Sequence, residues 1–340
     1  MGRNIAHVFA VMILIFMMLF QFISVIALSS PRGLLREENV NKVDVTVDDA
    51  RRKVYDAYAA VVDAEASGGN VTDLVNRLNE AIELIRLAEN TSDSEEASVF
   101  VEQAVSIADD VLSEIGEVKE EGLALRRFHL FLSVFSISLL VVSGVLIYFY
   151  GPKVFWGLWV RIKGNWKVKS SGSKRSRRGW LVDEEVFAVV LAILVIVCVF
   201  AMSQMFYAGR VVEPFSQLAV LGPDKKLGGY PSEVHVGEKF KLYMYVRNYM
   251  GRVMYYIVYI KLGNRSVPLN LTYPYPAPVI ARFERILMHN ESWIFPIYLV
   301  MNETGINYRI VFELWIYNET IASEQFHQRT CQLWLNVTEW

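Results

Sequence analysis

Cysteine is scarce in this chain, with only Cys198 and Cys331 among 340 residues. That scarcity excludes a disulfide framework and any thiolate-rich zinc site. Histidine is equally thin: His7, His129, His235, His289 and His327 lie far apart, with no HExxH or paired-ligand spacing. GxSxG, SxxK, GxGxxG and Cys-centred nucleophile motifs are missing as well. With these go the recognisable routes to nucleophilic, nucleotide-dependent and metal-dependent chemistry. The expectation is a protein that is not an enzyme, with no catalytic residue, no metal site and no cofactor. Scattered carboxylates that converge in space are the remaining route to catalysis.

Charge is also low, at 21% of residues, while mean hydropathy is positive at +0.28. The deficit is concentrated. His7–Leu28, Phe128–Tyr150 and Val186–Tyr207 contain no Asp, Glu, Lys or Arg. About 20 such residues suffice to cross a bilayer as a helix, so three transmembrane helices are expected. The first run reads as an uncleaved anchor, with a signal peptide cleaved near Val25 and Ala27 as the alternative.

Between the second and third runs lie Lys153, Arg161, Lys163, Lys167, Lys169, Lys174, Arg175, Arg177 and Arg178, with no acid before Asp183. The positive-inside rule places this loop in the cytoplasm, and with it the N-terminus. The C-terminus then lies outside the plasma membrane. Asn-X-Ser/Thr sequons at Asn70, Asn90, Asn264, Asn270, Asn290, Asn302, Asn318 and Asn336 all fall in the two segments read as external. They are glycosylation candidates.

The implied organisation is a transmembrane anchor or signal peptide over 1–28, an acidic extracytoplasmic helical domain over 29–127 and a transmembrane helix over 128–150. A basic cytoplasmic loop over 151–185, a transmembrane helix over 186–207 and an extracytoplasmic β-sandwich over 208–340 follow. The lipid bilayer is thus one expected partner. Residues 29–127 carry 11 basic and 22 acidic side chains. Within them Val47, Ala50, Val54, Ala57, Val61 and Ala64 recur at spacings of three and four, as does a second set from Val71 to Ala88 and a third from Ala97 to Val118. These stripes predict a helical bundle or antiparallel coiled coil. Thr46 with Asp49 and Ser92 with Glu95 have capping-box spacing, and Asn70 follows Gly68-Gly69 as a cap for the middle helix. Gly116 and Gly122 are places where the third helix could bend. Gly151-Pro152 ends the helix through the second run. The aromatic and basic residues after it suit an interfacial segment on anionic lipid headgroups, and no nucleic acid is expected as partner.

Beyond Val211 the period becomes two. Phe240, Leu242, Met244 and Val246 alternate with Lys241, Tyr243, Tyr245 and Arg247. Met254–Leu262, Phe283–Met288, Trp293–Val300, Tyr308–Tyr317 and Leu333–Val337 also read as strands, separated by turn-forming residues. An antiparallel β-sandwich of immunoglobulin type follows. Gly222-Pro223-Asp224 reads as a turn.

The runs LGPDKKLGGYPSEVHVGEKFKLYMYVRNYMGRVMYYIVYIKL (221–262), NESWIFPIYL (290–299) and YRIVFELWIYNE (308–319) resemble a known module. It is the C-terminal module of the archaeal membrane-protein family catalogued as domain of unknown function 1616, here over roughly residues 186–340. The Gly-Pro-Asp turn, Tyr230-Pro231, Val236-Gly237-Glu238 and the late Phe-Glu-Leu strand carry the likeness. The resemblance implies an archaeal envelope protein with an outward sandwich, and it brings no catalytic residues.

If Phe240, Leu242, Met254, Val258, Ile310, Phe312 and Leu314 fill the core, the opposite positions bear Tyr243, Tyr245, Tyr255, Tyr259, Trp315 and Tyr317. Such a face suits contacts with proteins or glycans, and ordinary cross-strand aromatic pairing is the alternative. The functional expectation is therefore a membrane-anchored envelope protein whose outer domains bind or organise surface proteins or glycans. The alternatives are an accessory subunit of a membrane enzyme complex handling glycans or secreted proteins, and a signal transducer acting through the bundle.

Overall fold

The computed structural model describes residues 46–163 and 213–339, with positions 193, 196, 199, 200 and 203 between them. Three helices are present among the described residues: α1 (Val47–Ala66), α2 (Thr72–Asn90) and α3 (Ser94–Lys163). The start of α1 is the expected capping box, in which Asp49 N donates to Thr46 Oγ1 and Thr46 N donates to Asp49 Oδ2, both at 3.2 Å. Ala50, Val54, Ala57, Val61 and Ala64 are buried as the spacing requires, and Tyr58 is buried with them. At α2 the cap position is Val71, with no side-chain cap. Asn70 instead accepts from Thr72 N at 3.2 Å in an Asx turn. At α3 the role expected of Ser92 passes to Asp93, whose Oδ1 takes the Glu95 amide at 2.9 Å. Gly122 is a contact point: a Cβ there would lie 2.2 Å from Gly69 N, so the α1–α2 loop packs directly on the α3 backbone.

The expectation of three transmembrane helices is corrected here. Among the described residues no helix is long and apolar enough to cross a membrane. The run 128–150 is not a self-contained segment. It is the distal part of one 70-residue helix whose first half carries Glu95, Glu96, Asp109, Asp110 and Glu114. A charge-free stretch of this length permits spanning but does not establish it. Gly151-Pro152 does not end this helix either. Proline forgoes one amide donor, and helical backbone continues past it to Lys163. Residues 1–45, 164–185 and most of 186–207 lie outside the described residues, and with them the anchor-or-leader reading and most of the basic loop.

The C-terminal strands are β1 (Phe215–Leu221), β2 (Glu233–His235), β3 (Lys239–Tyr249), β4 (Met254–Gly263), β5 (Val279–Leu287), β6 (Ser292–Val300), β7 (Gly305–Asn318) and β8 (Ser323–Thr338). They form a three-stranded sheet in the order β1-β3-β6 and a five-stranded sheet in the order β2-β8-β7-β4-β5. One pairing departs from the all-antiparallel expectation: β2 runs parallel to the end of β8 over three residues. A strand that short, reached by a long connection, satisfies its amides along an edge in either direction. Phe240, Leu242, Met254, Val258, Ile310, Phe312 and Leu314 lie between the sheets as expected. They are joined there by Met244, Val246, Tyr256, Ile260 and Ile297. Buried Asn248 stitches the sheets together, its Nδ2 donating to Arg252 O at 2.7 Å and Leu287 O at 2.8 Å.

Helices and sandwich form one compact unit, Val45–Trp340. The apolar core of the bundle runs without a break into Val253, Tyr255, Ile257, Ile286 and Tyr317 on the outer side of the five-stranded sheet. That part of the face is therefore internal, whereas Ile294, Tyr298 and Val300 on the outer side of the three-stranded sheet are exposed among the described residues.

Candidate functional site

The six aromatic residues expected on one face are divided between the two sheets. Tyr255, Tyr259, Trp315 and Tyr317 belong to β4 and β7, whereas Tyr243 and Tyr245 belong to β3. The first group is covered by the chain itself. Tyr55 of α1 stacks on Tyr317 at 3.9 Å and 14°, and meets Tyr255 edge-on at 5.1 Å. The Tyr58 hydroxyl donates to Val253 O at 3.3 Å and accepts from Tyr255 N at 3.1 Å. Beside these rings, Glu324 accepts from the hydroxyls of Tyr55 and Tyr259 and pairs with Arg282 at 2.8 Å. Burial pushes the phenols of Tyr55, Tyr255 and Tyr259 well above the ordinary tyrosine range. Burial alone would also raise the Glu324 carboxyl, but the Tyr259 hydroxyl, Arg282 and Tyr55 together hold it below its usual value.

A further part of this sheet face is covered by the connection between β4 and β5. Tyr275 is buried there, its amide donating to Glu313 and its carbonyl accepting from Lys261 Nζ at 2.8 Å. Lys261 and Glu313 form a buried ion pair at 2.9 Å, and Trp315 Nε1 donates to Glu313 at 3.0 Å. Every polar atom of that carboxylate is thus used, which is what makes its burial tolerable. Gly263 admits the Tyr275 ring, because a Cβ at 263 would come within 2.3 Å of the hydroxyl.

The three-stranded sheet is different. Along β3, buried Phe240, Leu242, Met244 and Val246 alternate with Lys239, Lys241, Tyr243, Tyr245, Arg247 and Tyr249 facing out. Across the register Lys241 lies opposite Tyr298, Tyr243 opposite Pro296 and Tyr245 opposite Ile294. Tyr298 and Ile294 are 52% and 47% exposed, so the face is open to solvent. Lys241 Nζ lies 4.7 Å above the Tyr243 ring, Lys225 Nζ lies 5.1 Å from the same ring, and Lys239 Nζ lies 4.5 Å above Tyr298. Hydrogen bonding to Tyr243, assisted by Tyr298, holds the Lys241 ammonium above the usual lysine range. At the other end Arg247 covers Tyr249 at 4.6 Å, and Tyr249 stacks on Phe215. No acid occurs within β1, β3 or β6. The flanking Glu238 and Glu291 turn to the backbone amides of His235 and Met288. Lys225, Lys239, Lys241 and Tyr298 were not among the residues expected from sequence. The signal was present in the strict alternation of β6, which puts Tyr298 outward beside Lys241.

None of the sequon asparagines lies on β1, β3 or β6. Those of the sandwich occupy turns or the strands β7 and β8, and all but Asn318 have exposed asparagines. Asn264, Asn270 and Asn318 accept from the backbone amide two residues on, as Asn70 does, so each builds an Asx turn.

A Ser–His contact elsewhere has the outline of a catalytic pair. His327 Nε2 lies 2.9 Å from Ser216 Oγ, which in turn lies 2.6 Å from the Tyr256 hydroxyl. Ser216 is buried, no carboxylate bonds the imidazole among the described residues, and burial followed by Arg329 lowers the His327 pKa to about 4. The triplet ties β1, β4 and β8 together across the end of the sandwich.

A search of curated proteins finds no match. Among solved structures, the CARDB domain of PF1109 from Pyrococcus furiosus, in complex with di-metal ions, is similar at 14% identity. It covers 37% of this chain and 89% of that one, with a TM-score of 0.26. β-Glucosidase from Listeria innocua in complex with glucose is similar at 11% identity over 37% of this chain and 16% of that one, with a TM-score of 0.27. Spo0M, a sporulation control protein from Bacillus subtilis, is similar at 12% identity over 36% of this chain and 49% of that one, with a TM-score of 0.23. Likeness at these values transfers neither fold nor function. The C-terminal module, residues 210–337, matches the family described as domain of unknown function (DUF1616).

Proposed function

We propose that this protein is a non-enzymatic binding component of the cell envelope, and that its partner meets the outer face of the three-stranded sheet. The observation that carries this reading is the unequal covering of the two sheets. The outward tyrosines of the five-stranded sheet are packed against the chain's own helices, so they are structural. The three-stranded sheet leaves Tyr243, Tyr245 and Tyr298 with three lysines on a surface that nothing among the described residues covers. Tyrosine combines large contact area with a polar tip and little rotamer entropy to lose, which suits recognition. Accessible sequons away from this face support placement outside the cell. The helical bundle serves as a rigid platform locked to the sandwich.

The test is to replace Tyr243 and Tyr245 with Ser in the full chain and to recover partners by cross-linking in native cells. Recovery falls sharply while abundance and melting stay unchanged. Unchanged recovery would mean that the face is merely a surface.

A further inference from the structure

Three ammonium groups converge on two aromatic rings at one end of the open face. Lys225 and Lys241 share the Tyr243 ring, while Lys239 and Lys241 share Tyr298, the second of these contacts spanning 5.6 Å. None of the three is ion-paired with a carboxylate among the described residues. Like charges so placed repel one another, and the rings offset this only in part. What completes such a cluster is an anion.

We infer that this cluster binds the acid groups of an anionic polysaccharide laid across the three-stranded sheet; the inference rests on the binding role given to that face above. Charge supplies the first reason: the outward positions of β3 carry Lys239, Lys241 and Arg247, and the three strands contain no acid. Shape supplies the second. The face is the open side of a sheet, and two cavities of the described residues lie elsewhere, between β1 and β8 and beside α1. An open sheet face suits a ribbon-like polymer bearing regular charge better than a peptide, whose specificity comes from side-chain pockets. The sheet edges supply the third reason, since a peptide would otherwise add there as a strand. Pro296 removes a donor from the β6 edge. On β1 the carbonyls of Leu218 and Val220 already accept from the Cys331 thiol at 3.5 Å and the Tyr230 hydroxyl at 2.8 Å. With both edges blunted, the face is left to a ligand that needs no backbone ladder.

The probe is polygalacturonate, a carboxylated glycan, titrated onto the purified full chain in low salt, with neutral dextran as control and polyglutamate as competitor. The expected result is saturable binding to polygalacturonate that weakens as salt is raised, at least a tenfold loss in K239Q/K241Q, and a smaller loss in K225Q. Dextran does not bind, and polyglutamate competes poorly. Retained affinity in K239Q/K241Q overturns the inference, as does polyglutamate binding as tightly as the glycan, which would make the ligand an acidic peptide. Far-ultraviolet dichroism of each variant checks the fold, and because Lys225 and Lys239 are exposed and Lys241 lies on the outward side of β3, both variants are expected to retain it. If polygalacturonate fails to bind while Y243S/Y245S still loses its cross-linked partner, the ligand class falls and the binding face stands.

Discussion

The carboxamide of Asn79 bonds both backbone groups of Ile286: Nδ2 donates to the carbonyl at 2.9 Å, and Oδ1 accepts from the amide at 2.8 Å. Ile286 lies on β5, an edge strand. A side chain of α2 thus stands where a neighbouring strand's peptide group would otherwise be. It docks the helices and blunts an edge at one point. Replacing Asn79 with Leu leaves a partly buried amide and carbonyl unpaired, so the chain should lose about 1–3 kcal/mol in denaturant unfolding. Asn79→Asp keeps the acceptor but sets a carboxylate against the Ile286 carbonyl, and should be no better. A wild-type midpoint for both would mean that the bundle is held without this contact.

Gly263→Ala should displace Tyr275, because the added methyl meets its ring as well as its hydroxyl, with Cε1 at 2.6 Å. Glu313 would then lose the Tyr275 amide and become accessible to water. The expected readouts are faster proteolysis within 264–278 and a red-shifted tryptophan emission from Trp315. Unchanged proteolysis would show that the connection is not pinned by this ring.

Acid should weaken the sandwich through His327. Its folded pKa of about 4 is depressed from the ordinary 6.5, so the unfolded chain binds the proton more readily. The stability it contributes is complete above about pH 6.5 and is lost as pH falls toward 4, at no more than about 1.4 kcal/mol per pH unit. Glu324, also depressed, adds a loss of the same sign at lower pH. Melting temperatures of H327Q across this window should fall less steeply than those of the wild type. Parallel curves would place the acid sensitivity elsewhere.

The bundle and the inward faces of the strands were legible because each rests on local pattern. The capping box at Thr46 and Asp49 and the Ala/Val stripe of α1 follow from residue spacing alone. The alternation of β3 and β6 maps directly onto buried and outward positions. What covers an outward face is a tertiary fact, which is why Tyr255 and Tyr317 were grouped with Tyr243. A trace of it was present in composition: β4 reads MYYIVYI, nearly continuous and apolar, as expected of a strand buried on both sides. The continuity of α3 past Gly151-Pro152 was not legible, since propensity weighs both residues against a helix. Likewise β1 and β2 were missed because FSQLAVL and EVH are short and lack flanking alternation.

The most direct test of the unequal covering is photo-cross-linking in cells from a benzophenone amino acid placed at Tyr298 or, separately, at Tyr259. From 298 the account predicts adducts of increased mass that disappear in the K239Q/K241Q background. From 259, beside Glu324 and Arg282, it predicts cross-links only within the chain. Intermolecular adducts from 259 with none from 298 would contradict it, because the binding surface would then lie on the sheet that the helices cover.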